Sequence, residues 1–313
     1  MKITDQILQS KYFAGQPPVL VDIGASGEIH ARWKSIAAHA ICIAFDADDR
    51  EFKVSEENNK GYKKLVTINR IVNNQPAGHT DFYLTKSPFC SSLLEPDLEH
   101  LKPWLFRPLF EIEKVSQLPS VTLAETLRSL DISYIDWFKV DTQGTDLRIY
   151  NSLPIDIKEN ILLAEFEPGI MDAYKGEDKL YAVMQEMHRQ GYWLSSMEVK
   201  GTQRLQNGYS EKIGEFLSKR IIRTSPGWAE LTYFRTPIQL SCRNYLLMIV
   251  FALLDHQYGF ALELCDGGRA QYDEPLLDEC KKSIMKMIQR EKLKLPLIFM
   301  KRKFNKLFSR IDA

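Results

Sequence analysis

Short, continuous apolar runs alternate along the chain with stretches of helical spacing. Residues 19–23 (VLVDI) and 41–45 (ICIAF) are such runs, rich in β-branched side chains. That is the pattern of parallel strands buried on both faces. The residues between them are spaced as a helix, so 19–48 reads as strand, turn, helix, strand. Residues 65–72 alternate as a strand and 81–85 give a shorter one. Residues 51–61 are polar and read as a helix and turn. Residues 87–119 show little periodicity and several prolines, and read as an insertion over one face of a sheet, a candidate lid. Residues 121–130 are helical, opened by Thr122 with Glu125 three positions later, a capping box. Apolar strands follow at 134–140, ending at Asp141, and at 161–166, ending in Glu-Phe-Glu-Pro. Short helices are predicted from 146 and over 180–190, the latter stopped by Gly191. Late antiparallel strands are predicted over 192–199 and 231–235.

From residue 240 helical spacing takes over, with a break expected at 266–272. The alternating order up to about residue 236 predicts an α/β protein with a doubly wound, mostly parallel, Rossmann-like sheet. The domain reading is 1–239 for this fold and 240–313 for a helical appendage ending in a basic amphipathic tail. Ligands of such sheets bind beyond the carboxyl ends of the strands, where the strand order reverses.

The chemistry gathers there. Asp22, Gly24 and Gly27 form D-x-G-x-x-G after the first strand. The glycines allow a tight turn and close backbone approach, and the expected helix N-terminus offers N–H groups to an anionic group. Asp46 ends the second strand, 22 residues after Gly24, where a carboxylate can accept hydrogen bonds from ribose hydroxyls. Ser26 stands where a dinucleotide motif has its middle glycine. A pyrophosphate therefore approaches less closely, which favours S-adenosylmethionine (SAM) over NAD. The second reading is an NAD-dependent reductase or epimerase, and the third a non-catalytic nucleotide-binding domain. Tyr134 lies five residues before Lys139, the wrong spacing for the Tyr-x-x-x-Lys pair of such reductases.

Composition narrows this little. With 41 basic and 41 acidic residues, net charge points to no partner. Five scattered cysteines without C-x-x-C argue against a metal cage or disulfide framework, and for a reducing, cytoplasmic setting. The chain opens without an apolar leader-like run. The longest apolar run, 245–254, reads as a buried helix too short to span a bilayer. The overall balance hides the tail: residues 281–313 carry eleven Lys or Arg against two acids. Leu297, Met300, Phe304 and Ile311 share one helical face there, so the tail is a candidate for peripheral contact with an anionic membrane. No motif for nucleic acid accompanies it.

The segment WFKVDTQGTDLRIYNSL at 137–153 resembles the K-I-D-x-E-G-x-E segment of the FkbM family of SAM-dependent methyltransferases. Lys139, Asp141 and Gly144 match; Gln143 stands in place of Glu, and Asp146 in place of the later acid. The family's D-I-G-A-x-x-G matches Asp22, Gly24, Ala25 and Gly27, its F-E-P appears as Phe45, Asp46 and Ala47, and its Ser-Ser-Leu as Ser91, Ser92 and Leu93. The resemblance covers about 19–236. It implies a class I methyltransferase fold, SAM held by the glycine turn, Asp46, Ser91 and Ser92, and methyl transfer to oxygen on a carbohydrate or related acceptor. A carboxylate within hydrogen-bond reach could take the acceptor's proton. Candidates are Asp141, with Lys139 on the same strand face by period two, and Glu165 and Glu167, which also share a face. No His lies in a motif; His30, at the start of the expected helix, is nearest the site.

Overall fold

The apolar runs form strands, and the larger of two sheets collects them. Strands β1 (Val19–Ile23), β2 (Ile41–Phe45), β3 (Lys64–Ile68), β7 (Trp137–Val140), β8 (Leu163–Phe166), β9 (Tyr192–Gln203) and β10 (Thr224–Arg235) lie in the order β3-β2-β1-β7-β8-β10-β9. The first five are parallel, and β10 runs antiparallel between β8 and β9. Strands β4 (Ile71–Val72), β5 (His79–Thr85) and β6 (Ile112–Val121) make a smaller sheet, β4-β6-β5. The computed structural model describes residues 2–25, 29–48, 50, 61–76 and 78–292. Gly27, the polar segment 51–60 and the tail 293–313 lie outside them.

The chain leaves β1 towards β2 and β3, then returns to its other side as β7 and β8. That reversal opens a crevice at the strand ends. Helices α2 (Leu98–Leu101), α3 (Leu123–Ser129), α4 (Asp146–Ser152), α5 (Ile155–Asn160) and α6 (Leu180–Arg189) accompany the strands. The predicted capping box of α3 is present in full. Val21, Ile43, Phe138, Tyr150, Phe166 and Met187 are among the buried residues that form one core cluster with the sheet.

Four expectations are corrected. Among the described residues no α-helix joins β1 to β2; two 3-10 turns, Ala31–Ser35 and Ala37–His39, stand there. Trp33, fully buried edge-on against Trp137, and the pairing of His30 and Arg32 with Glu165 draw this segment onto the sheet. The aperiodic 87–119 contains most of β6, whose mainly exposed side chains leave no alternation to read. Leu65 to Val72 splits into β3 and β4, which belong to different sheets. The late strands are longer than predicted, and helices α7 (Asn207–Ile213) and α8 (Glu215–Ile221) sit between them. Only Leu231 to Phe234 of β10 pair with β8; Thr224 to Glu230 pair with β9 alone. This two-stranded ribbon therefore projects past Phe166, on the carboxyl side of the parallel strands.

Among the described residues, the second unit comprises 2–16 and 237–292. It holds α1 (Ile3–Leu8), α9 (Cys242–Leu254), α10 (Tyr258–Gln271) and α11 (Pro275–Lys292). The sequence reading placed the first sixteen residues with the sheet domain. Instead α1 buries Ile3, Ile7 and Leu8 among these helices, and the Tyr12 hydroxyl donates to Glu274 at 2.6 Å. The break expected at 266–272 is also displaced: α10 runs through it to Gln271. Gly267 packs against the Tyr245 ring and Gly268 against Leu277, with room for no larger side chain at Gly268 without a shift. Among the described residues no helix is long and apolar enough to cross a membrane.

Candidate functional site

A cavity of about 440 Å³ opens at the carboxyl ends of β1, β2, β7 and β8. Ile23, Gly24, Asp46, Asp141 and Glu167 line it on the sheet side, and Phe106, Phe110, Met171 and Trp228 are among the apolar residues that close it elsewhere. This is the crevice predicted for a doubly wound sheet.

Asp46 leaves the end of β2 and is buried. Its Oδ1 accepts the Asp48 N–H at 2.8 Å, while its buried Oδ2 has no hydrogen-bond partner. Burial pushes the carboxyl up to about 6, against the backbone N–H groups that stabilise its charge. A buried carboxylate oxygen left unmet is costly, so this atom is suited to a donor brought by a ligand. Asp48 is the contrast. Arg50 grips it at 2.9 and 2.6 Å and also reaches Ser91 Oγ. Burial works against the Asp48 charge, but the Arg50 hydrogen bonds more than offset it and its carboxyl lies below the ordinary value.

Asp141 follows β7 and is held by the next turn. Gln143 has φ +56°, and its Nε2 donates to Asp141 Oδ1 at 2.6 Å. The Tyr174 hydroxyl donates to the Cys90 carbonyl at 2.9 Å and lies 3.3 Å from Gln143 Oε1. Gln143 thus supplies a donor where a Glu would place a further carboxylate. Glu167 follows β8. Burial first, then the Asp141 charge and a hydrogen bond with it, raise the Glu167 pKa. Asp146 lies beneath these two carboxyls, accepting from Thr142 N–H and Glu167 N–H, both at 2.9 Å. It joins the two strand ends, and burial followed by the Asp141 charge pushes it up to about 7.

Three predicted site residues lie elsewhere. Asp22, Lys139 and Glu165 are register neighbours on β1, β7 and β8, and none lines the cavity. Lys139 Nζ donates to Asp22 Oδ1 at 2.8 Å, and the His30 N–H donates to Asp22 Oδ2 at 2.9 Å. Glu165 faces His30 Nε2 at 3.3 Å and Arg32 Nη1 at 3.2 Å. Burial disfavours both charged side chains, but their partners win: Lys139 lies above its ordinary pKa and Glu165 below. This is a buried ion-pair ladder that ties the sheet together.

The glycine turn and the serines also change role. Gly24 has φ +83°, and a Cβ there would lie 1.9 Å from the Asp141 carbonyl oxygen. Glycine is required by the protein's own backbone. The Gly24 and Ala25 N–H groups both donate to the Phe45 carbonyl at 3.0 Å, and Ala25 does not line the cavity. Ser91 lines it with its hydroxyl engaged by Arg50 and the Thr85 N–H. Ser92 does not line it; its hydroxyl donates to the Gln143 carbonyl at 2.8 Å and accepts the Leu94 N–H. Of the predicted residues, Gly24, Asp46, Ser91, Asp141 and Glu167 meet at the cavity. Tyr174, Trp228 and the aromatic residues near 106–110 carried no motif that could announce them.

The chain is an α/β protein with a mostly parallel sheet, compatible with a Rossmann-like fold, and a cavity at its switch point. No family model matches the chain, and no curated protein matches it.

Proposed function

We propose that this chain is a SAM-dependent O-methyltransferase. The observation that carries the reading is Asp46: a buried carboxylate at the end of β2, beside the strand-order reversal, with one oxygen unmet at the cavity. Two adjacent ribose hydroxyls are donors of the right kind for it. The acids around the cavity support a cationic ligand, because buried negative charge is stabilised by a positive group. Arg70 is the sole Lys or Arg among the described lining residues, and no α-helix N-terminus follows β1 among those described. Both facts tell against the pyrophosphate of NAD, which needs donors and positive potential.

Bound SAM supplies a methyl group made electrophilic by a sulfonium. Asp46 would hold the ribose and Gly24 would let the β1 turn lie close. Asp141, oriented by Gln143, is the base best placed to receive the acceptor's proton, with Glu167 beside it at the cavity. Lys139 and Glu165 serve the sheet. The family resemblance extends the reading to a hydroxyl on a carbohydrate or related acceptor. Titration calorimetry with SAM and, separately, NADH tests it. Saturable heat with SAM and none with NADH is expected; the reverse would overturn the assignment.

A further inference from the structure

We propose that the tip of the β9–β10 ribbon is a docking surface for anionic membrane lipid. The tip is α7 and α8, joined at Gly214. Polar groups anchor it: Gln203 Nε2 donates to the Ser218 and Ile222 carbonyls at 2.6 and 2.7 Å. The apolar side chains are left outside. Tyr209 is 58% exposed, Phe216 68%, Leu217 51% and Ile221 69%. A single exposed apolar residue is ordinary, but four on two short helices mark an interaction surface.

Charge selects its occupant. Residues 204–223 carry Arg204, Lys212, Lys219, Arg220 and Arg223 against Glu211 and Glu215. The Arg220 guanidinium lies 4.5 Å over the Phe216 ring, and Lys212 Nζ lies 5.9 Å from the Tyr209 ring centroid. Aromatic and aliphatic groups with cations beside them suit the interface of an anionic bilayer, where rings sit at headgroup level and cations meet phosphate. Protein interface cores, by contrast, are depleted in lysine.

The position fits as well. The ribbon projects on the cavity side of the sheet, and its Trp228 lines the cavity. The Leu105 N–H donates to the Gln203 carbonyl at 3.0 Å, and Arg204 lies 5.4 Å over the Trp104 ring. These contacts join the tip to the segment that supplies Phe106 and Leu109 to the cavity. A docked tip therefore brings the cavity close to lipid. The inference stands apart from the identity of the cofactor.

The test is co-sedimentation of the full chain with phosphatidylcholine vesicles and with phosphatidylcholine–phosphatidylglycerol vesicles, at low and high salt. The wild type is expected to sediment with the anionic vesicles at low salt and to be released by salt. Phe216→Asp with Ile221→Asp should weaken that binding about tenfold or more, at an unchanged melting temperature because both residues are exposed. Lys212→Glu with Arg223→Glu should abolish the preference for anionic over neutral vesicles. A wild type that ignores anionic vesicles overturns the proposal. So does full binding by the Phe216/Ile221 variant, which would assign the lipid contact to residues 293–313. So does a wild type that self-associates without binding vesicles, which would make the tip a contact between copies.

Discussion

Two sets of carboxylates, buried or half-buried, sit on neighbouring strands and differ in what faces them. Asp22 and Glu165 lie within the sheet, met by Lys139, the His30 N–H, the His30 ring and Arg32. Asp46, Asp141 and Glu167 lie just beyond the strand ends, where Asp46 keeps an unmet oxygen and burial, then the Asp141 charge, raises the Glu167 pKa. In the first set each acid has a cation against it, and those partners hold the Glu165 carboxyl below its ordinary value. The second is incomplete, and burial drives Asp46 and Glu167 towards the neutral form. The lesson is that the partners of a buried acid distinguish structural from ligand-binding roles better than its motif does.

The comparison can be broken first at the ladder. Lys139→Met leaves Asp22 buried without its cation, and should lower stability by about 3–5 kcal/mol, read by urea denaturation. A cost under about 1 kcal/mol would mean that the ladder does not hold the sheet. Next comes Asp141→Asn, which keeps the shape and removes the proposed base. With a working acceptor assay, turnover should fall by roughly two to four orders of magnitude, with SAM affinity little changed. Glu165→Gln should instead disturb folding. Equal losses of turnover in well-folded forms of both variants would erase the distinction. Smaller still is Ser92→Ala. It leaves the Leu94 N–H without its acceptor, at a cost of about 1–3 kcal/mol, and should spare SAM binding in calorimetry. A variant that lost SAM affinity at unchanged stability would return Ser92 to the site.

Much of the fold was legible because β1, β2, β7 and β8 are buried on both faces and show it as short apolar runs, interrupted only by Asp22, Lys139 and Glu165. The Thr122–Glu125 cap was legible because its signal is local. Asp46 was legible from its place at a strand end. What misled was depth. Lys139 and Asp141 share a strand-face parity, as do Glu165 and Glu167, but strands rise about 3.3 Å per residue. Two residues, about 7 Å, separate the sheet interior from the cavity, and periodicity cannot say where the sheet stops. The helix expected after β1 failed because Trp33, His30 and Arg32 are tied to the sheet by partners distant in sequence. The β6 strand escaped because its exposed side chains follow no alternation, and Pro119 within it reads as a breaker.

The central claim is that the unpaired carboxylate of Asp46 is kept for a ligand at the expense of stability. Its pKa is raised from 3.8 to about 6 in the folded protein, so the folded state holds its proton more tightly than the unfolded state does. Its contribution therefore favours folding at low pH and is lost as pH rises from about 4 to 6, leaving a penalty of up to about 3 kcal/mol at pH 7. Asp46→Asn, measured by denaturation and by SAM calorimetry at pH 7, is the most direct test. The account predicts a protein more stable by about 1–3 kcal/mol that binds SAM about tenfold or more weakly. A less stable protein with undiminished SAM affinity would contradict it.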